Sequence, residues 1–293
     1  MTGDPFLDSF VAHRSLLFTV AYELLGSAAD ADDVVQETWL RWADVDQAAV
    51  RDPRAYLVRI VTRQALNRLR TMARRREDYV GEWLPEPLLT SPDVAEDVEL
   101  AESVSIAMLT VLETLGPTER AVLVLHEVFD VPYDEIAEAV GRSTAAVRQI
   151  AHRAREHVAA RRPRMVVSRS EQQQVVDRFL AAVTAGDVLG LMEVLAPDVV
   201  VVADSGGLAP AARRPVVGAR RVALALSRFA EFAPRVEITT PLLNGAVAAR
   251  IDPGGEFDTA ITFVVEDGRI TRMYAMRNPH KLGRLDEVAE LVR

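Results

Sequence analysis

The chain of 293 residues has no cysteine and one lysine, Lys281, and aromatic residues make up only 6% of it. The first absence excludes disulfides and thiolate metal centres and fits a reducing compartment, here the cytoplasm. The five histidines are scattered without ligand spacing, so neither a metal nor a cofactor is expected. No apolar run approaches the roughly 20 residues that cross a bilayer, and the opening MTGDPFLDSF lacks a basic segment feeding an apolar one. Neither a membrane span nor a signal peptide is expected. The near-absence of lysine reads as a compositional bias of the genome.

Charge is plentiful but unevenly placed. A net charge of −9 spread evenly would disfavour a polyanionic partner. Instead, Arg51 to Arg76 holds nine arginines against one aspartate, Glu77 to Glu102 holds nine acids and no base, and Arg142 to Arg164 is basic again. Local blocks matter to nucleic acid more than the total does.

The first basic block organises the rest. Asp52 as N-cap and Pro53 as first helical residue start a helix there. At helical spacing Leu57, Val61, Ala65, Leu69 and Met72 share one stripe, and Arg59, Arg63, Asn67, Arg70 and Arg74 the opposite one. A surface helix normally mixes signs; this stripe is a row of forked cations around one amide, suited to phosphates and a base edge. Upstream, helical spacing from Phe6 stops at Gly26. Ser27 with Asp30 then opens a second helix in capping-box style. Val34, Val35, Thr38, Trp39 and Trp42 suit its core side.

Downstream, Gly116-Pro117 starts a helix, Pro132 starts a short one ending at Gly141, and Ser143 caps a longer one. Two helices joined through a glycine turn make a helix-turn-helix. On the second, Val147, Ile150, Ala151, Ala154 and Val158 face inward. Ala145, Arg148, Gln149 and His152 face outward with Arg153 and Arg155 flanking, types that suit a major groove. The acidic stretch between the two helical units carries Pro85, Pro87 and Pro92 and reads as a linker. Trp83-Leu84-Pro85-Glu86-Pro87-Leu88 within it is too apolar for a free tether and reads as an anchor that docks elsewhere.

After Pro163 the pattern changes to two amphipathic helices, a strand over Asp198–Ala203, and a helix over Gly218–Phe232. Strand candidates at Arg235–Leu242, Ala246–Ile251, Phe257–Val265 and Arg269–Met276 follow, separated by Asn244-Gly245, Asp252–Gly255 and Asp267-Gly268. Helices followed by an antiparallel meander form an α+β pattern.

DADDVVQETWLRW followed by DPRAYLVRIVTRQALNRLR resembles the second conserved region of bacterial sigma factors of the extracytoplasmic-function class. The helix-turn-helix downstream resembles their fourth region. The resemblance implies that Asp33, Gln36, Glu37, Trp39 and Arg41 dock on core RNA polymerase. It implies that the loop Ala43–Arg51 and the arginine helix (Arg59, Arg63, Asn67, Arg70, Arg74) read and open the −10 promoter element. Ser143, Thr144, Arg148, Gln149, His152 and Arg153 would read the −35 element. The last part resembles the SnoaL-like, ketosteroid-isomerase-like cone fold, and the whole chain resembles a sigma subgroup in which such a fused domain regulates in cis. That subgroup's motifs correspond here to Trp83, Leu84, Pro85, Glu86 and Pro87 in the linker and to Asp204, Ser205, Gly206 and Gly207 before Pro215–Gly218. A third motif corresponds to Asn278, Pro279, His280, Lys281 and Leu282. Ser205 stands where glycine is usual and His280 where aspartate is usual.

The expected organisation is therefore multidomain. Region 2 covers 1–76, an acidic linker 77–102, region 4 103–163, and a SnoaL-like regulatory domain 171–293. The two sigma parts are all-α and the last is α+β. The expected partners are core RNA polymerase and promoter DNA, with a small molecule in the C-terminal cavity as a further candidate and no membrane. The rival reading is a helix-turn-helix regulator whose C-terminal domain senses a small ligand without engaging polymerase. Catalysis through Asp204 and Tyr274, the carboxylate and tyrosine that isomerase chemistry needs, is a third. It is set aside, and no catalytic residue is assigned.

Overall fold

The computed structural model describes residues 5–46, 49–161, 167–231 and 235–293; the side chains of 5–8 and 73–76, Arg74 among them, lie outside that description. Three helices open the chain: α1 (Pro5–Leu25), α2 (Ala28–Ala43) and α3 (Pro53–Glu77). A short strand β1 (Leu89–Thr90) precedes α4 (Pro92–Glu96), α5 (Val98–Val104), α6 (Ile106–Leu112), α7 (Pro117–Glu127), α8 (Tyr133–Val140) and α9 (Thr144–Ala159). Then come α10 (Arg169–Ala185), α11 (Val188–Val194), β2 (Leu195–Asp204), β3 (Val216–Val217) and α12 (Ala219–Leu226). The strands β4 (Ile238–Thr239), β5 (Leu242–Leu243), β6 (Ala246–Ile251), β7 (Thr259–Glu266) and β8 (Arg269–Met276) lead to α13 (Pro279–Leu282) and β9 (Val288–Ala289). Among the described residues no helix is long and apolar enough to cross a membrane.

These elements form two compact units. One comprises Met1–Glu77, Met108–Arg162 and Glu290–Arg293; the other comprises Asp78–Ala107 and Pro163–Ala289.

The first unit is all-helical. Ser27 accepts from the Asp30 amide and starts α2, and the Asp52 carboxylate does the same for α3 through Ala55. The stripe Leu57, Val61, Ala65, Leu69 and Met72 is buried against α1, which contributes Leu17, Val20, Ala21 and Leu24. Gly141 ends α8 in the left-handed region, and Ser143 caps α9 by accepting from Ala146. The helices of the first and second basic blocks belong to one body: α7 packs on α1 and α3, and α8 packs on α3. Arg120 on α7 is only 3% exposed and joins the two halves. It donates to the Leu24 carbonyl at the end of α1 (2.8 Å) and pairs with Glu113 (2.7 Å). Burial pushes its guanidinium down to about 10.

The second unit is α+β. Its sheet runs β3-β2-β8-β7-β6-β5-β1-β9, with β4 beside β6. Strands β6, β7 and β8 form the expected antiparallel meander, and both Asn244-Gly245 and Asp267-Gly268 take the positive φ values that such hairpins need. Three features depart from the expectation. The β2 strand joins β8 in parallel, so the sheet is mixed rather than a pure meander. The segment expected as one strand, Arg235–Leu242, is split into β4 and β5 around Thr240-Pro241, because proline has no amide for the ladder. The acidic stretch is structured as well: β1 pairs antiparallel with β5, and Asn244 accepts from the Leu88 amide (2.9 Å) while donating to the Val104 carbonyl (2.8 Å).

One hydrophobic cluster of this unit lies on one face of the sheet. Val175, Val176, Phe179 and Val183 of α10 and Leu191 of α11 pack against Val247, Ile251, Ile261, Phe263 and Met273. Phe179 and Phe263 meet edge to face, centroids 5.3 Å apart. Phe179→Ala is expected to lower stability by about 3–5 kcal/mol, read as a reduced urea midpoint of the second unit's transition.

Candidate nucleic-acid interface and tether site

In the first unit the expected polymerase face lies on α2, cross-braced to α3. Asp33 takes the Arg68 guanidinium at 2.6 Å, with Asp30 at 3.3 Å, and Glu37 accepts from Gln64 at 3.0 Å. Gln36 and Arg41 are exposed, as is Leu40, whereas Trp39 is half-buried against Phe10. Arg68 and Gln64 thus set the geometry of this face, although only the exposed stripe of their helix marks itself in the sequence.

The arginine ridge is at the surface but partly occupied. Arg59 lies over the Tyr56 ring at 5.0 Å and pairs with Glu138 of α8 at 2.8 Å. Arg63 donates to the Glu138 carbonyl (2.7 Å) and to the Ala139 carbonyl (3.4 Å), oxygens of the last turn of α8 that have no partner within the helix. Cation on helix C-terminus is the favourable sense of the dipole. Arg70 donates to Asn67 at 2.8 Å, and both are exposed. Beside the Arg59–Glu138 pair lies a cavity of about 440 Å³. One wall is formed by Val45, Asp46, Ala49–Asp52 and Tyr56; the other includes Glu135, Ile136 and Ala139 of α8.

On α9, Arg148, Gln149, His152 and Arg153 are all exposed, and Thr144 is half-exposed. The Ser143 hydroxyl is engaged as a cap. His152 lies 3.7 Å from Glu156. Tyr133 at the start of α8 lies against His126, ring centroids 4.0 Å apart with the planes tilted by 32°, and Arg148 lies 5.9 Å over its ring.

The second unit gathers three separated segments around one carboxylate. Asp204, the last residue of β2, is fully buried. Its Oδ1 accepts from the Tyr79 hydroxyl at 2.5 Å, and its Oδ2 from the Leu84 amide at 2.8 Å and from Lys281 Nζ at 2.7 Å. Lys281 also donates to the Leu84 carbonyl (2.5 Å) and lies 4.1 Å over the Trp83 ring. Asn278 caps α13 with its side-chain oxygen and donates to Tyr79 from its nitrogen at 2.7 Å. Burial, then the Asp204 carboxylate, push the Tyr79 phenol well up, so it stays a protonated donor. Gly206 and Gly207 are required by close approach: a Cβ on Gly206 would lie 2.7 Å from Asn278 Nδ2, and one on Gly207 3.2 Å from Val80.

Leu84, Pro85, Glu86, Pro87 and Leu88 are buried and Trp83 half-buried, so the structure brings Trp83–Pro87 together with Asp204, Gly206, Gly207 and Asn278–Leu282. Ser205 accepts from the Gly207 amide, and His280 is exposed. Sequence reasoning missed Tyr79; its signal was a lone tyrosine four residues before Trp83 in an otherwise acidic stretch. Tyr274 is buried on β8 opposite Val202, two register positions from Asp204, and Asp204 already has three donors, so the two do not form the acid–base pair of the third reading.

Breaking a buried pair leaves an uncompensated charge. Lys281→Met is expected to lower stability by about 3–5 kcal/mol. Asp204→Asn combined with Lys281→Met should cost less than the two single changes added, with a coupling of about 1–3 kcal/mol in a urea-melt cycle. Additive effects would show that the pair makes no contribution.

The chain matches the Sigma-70 region 2 family over residues 10–76 and the Sigma-70, region 4 family over residues 105–158. It is 39% identical to the ECF RNA polymerase sigma factor SigJ of Mycobacterium tuberculosis over 290 residues, 94% of this chain and 92% of that one. It is 31% identical to a probable ECF RNA polymerase sigma factor, SigI, of the same species, with 95% of each covered. The crystal structure of Mycobacterium tuberculosis SigJ superposes with a TM-score of 0.76 at 36% identity, covering 95% of this chain and 99% of that one. Two helical sigma regions in one chain with a mixed-sheet SnoaL-like domain, alike over nearly the whole length, place this protein among the extracytoplasmic-function RNA polymerase sigma factors.

Proposed function

We propose that this chain directs core RNA polymerase to promoters, that its two DNA readers close on each other in the free protein, and that the C-terminal domain governs their separation. In this reading Arg59, Arg63, Asn67, Arg70 and Arg74 meet the −10 element. Ser143, Thr144, Arg148, Gln149, His152 and Arg153 meet the −35 element, while Asp33, Gln36, Glu37, Trp39 and Arg41 face the polymerase. In this reading the functional segments are 1–76 for region 2, 77–102 for the linker, 103–163 for region 4 and 171–293 for the regulatory domain.

The observation that carries the reading is the grip on the tether. The only covalent link between the two readers runs through residues 78–107, and Asp204, Lys281, Asn278 and Asn244 hold that segment at Tyr79, Leu84, Leu88 and Val104. Geometry gives this grip its consequence. The two elements lie about 25 base pairs apart, roughly 85 Å along B-form DNA. A compact body of the first unit's size is only about 35–40 Å across. Readers packed as α3 on α8 therefore reach one element at a time, and initiation requires them to part. An extended tether of this length spans about 90–100 Å, enough for both elements; one pinned along a sheet does not. The C-terminal turn of α8 and Glu138 occupy Arg59 and Arg63 with oxygens of the same charge sign that DNA phosphates present.

Two experiments test this. The chain lacks cysteine, so Arg59→Cys with Glu138→Cys allows a short bis-maleimide to bridge α3 and α8. Run-off transcription with core polymerase is expected from the unbridged double variant and to fall at least about tenfold on bridging; equal output from both would refute the closed reading. Trp83→Ala is expected to change promoter output severalfold while the helical unit keeps its melting transition. Unchanged output counts against control through the tether.

A further inference from the structure

The C-terminal domain carries a charge feature that regulation through the tether does not use. From Ser205 to Ala230 the chain has five arginines, Arg213, Arg214, Arg220, Arg221 and Arg228, and no aspartate or glutamate. All five are exposed. None of them has an ion-pair or hydrogen-bond partner among the described residues.

The fold keeps them together. Arg213 and Arg214 lie just before the edge strand β3, which pairs with β2 through Val216 and Val217. Only Gly218 separates β3 from α12, where Arg220 and Arg221 flank a groove with Pro197, Val217 and Leu224. Arg221, Leu224 and Arg228 follow at intervals of three and four residues, which keeps them on one face of a helical path continued by the turn Ser227–Glu231. Val222 and Ala223, on the other side of α12, are buried in the core and fix its orientation. Asp198 at the rim is exposed and forms no pair with these arginines. By contrast Arg250 of the same unit, which is buried, is paired with Asp258 at 2.8 Å.

We infer that this face of the C-terminal domain, formed by Arg213, Arg214, Arg220, Arg221 and Arg228, binds the phosphate backbone of duplex DNA without reading sequence. Five unpaired guanidinium groups on one surface cost self-repulsion, which a row of phosphates relieves and a neutral partner does not. The inference rests on the reading of the chain as a promoter-directed factor, because that brings a long duplex within reach of the third domain. Flanking phosphates are the uniform, closely spaced anions this pattern matches. The contact would add sequence-independent affinity and make it salt-dependent.

The test uses the full-length chain carrying Arg213→Ala, Arg214→Ala, Arg220→Ala and Arg221→Ala, all surface changes, beside the unaltered protein. Binding to a duplex of arbitrary sequence is measured by fluorescence anisotropy across a salt series. Each phosphate contact contributes about 0.9 to the slope of log affinity against log salt, so the quadruple variant should show a slope shallower by roughly two to four. Losing two contacts corresponds to about 30-fold weaker binding at physiological salt. Melting transitions should be unchanged, and a chain carrying Arg→Lys at the same four positions should keep the slope of the unaltered protein. Equal slopes for the two proteins overturn the inference. So does a loss seen in core-polymerase affinity or in binding to phosphatidylglycerol vesicles but not on DNA. Because the readout needs no polymerase, failure here is distinct from failure of the promoter-directed reading, which run-off transcription decides separately.

Discussion

A carboxylate with no access to water must be met by donors, and Asp204 meets that requirement with groups from two other segments. Tyr79 and the Leu84 amide come from the stretch between the two sigma regions, and Lys281 from the last helix of the C-terminal domain. Each donor alone leaves the charge under-compensated, so the three segments assemble together or the carboxylate remains a liability of several kcal/mol. That coupling turns an acidic, proline-containing stretch into a structured part of a sheet. It also explains the paired glycines after Asp204: only a turn without side chains lets Tyr79 and Val80 lie so close.

The same economy of charge runs through the helical unit. Arg59 and Arg63 satisfy Glu138 and the open carbonyls of α8, while Arg68 and Gln64 satisfy acids on α2. Arg120, deep between α7 and α1, does for the Leu24 carbonyl what a cap would do. A guanidinium that can serve a carbonyl and a carboxylate can equally serve a phosphate. In the proposed mechanism the protein's own oxygens and the promoter compete for the same arginines. The contact is suited to opening: exposed ion pairs contribute about 0–1 kcal/mol each, small enough for polymerase and DNA to displace.

Much of the site was legible from local rules. The stripe Leu57–Met72 is buried as its period required, Ser27, Asp52 and Ser143 cap the helices they precede, and Asn244-Gly245 and Asp267-Gly268 make hairpins. Trp83 to Pro87 announced itself as apolar material in a charged tether. Tyr79, Arg120 and Arg68 did not stand out, because their roles depend on partners 35 to 199 residues away, and no local period marks such a pairing. The parallel pairing of β2 with β8 was equally hidden: strand propensity identifies a strand but not its neighbour.

The amino-acid order by itself determined the helices, their apolar faces, the helix-turn-helix and the signs of the charge blocks, since these follow from spacing and short-range hydrogen bonding. Only tertiary structure decided that the acidic stretch adds a strand to the C-terminal sheet, that the ridge of arginines meets α8, and which donors reach Asp204. Those outcomes depend on which distant groups must share the cost of leaving water, and desolvation is a property of the assembled fold rather than of any segment.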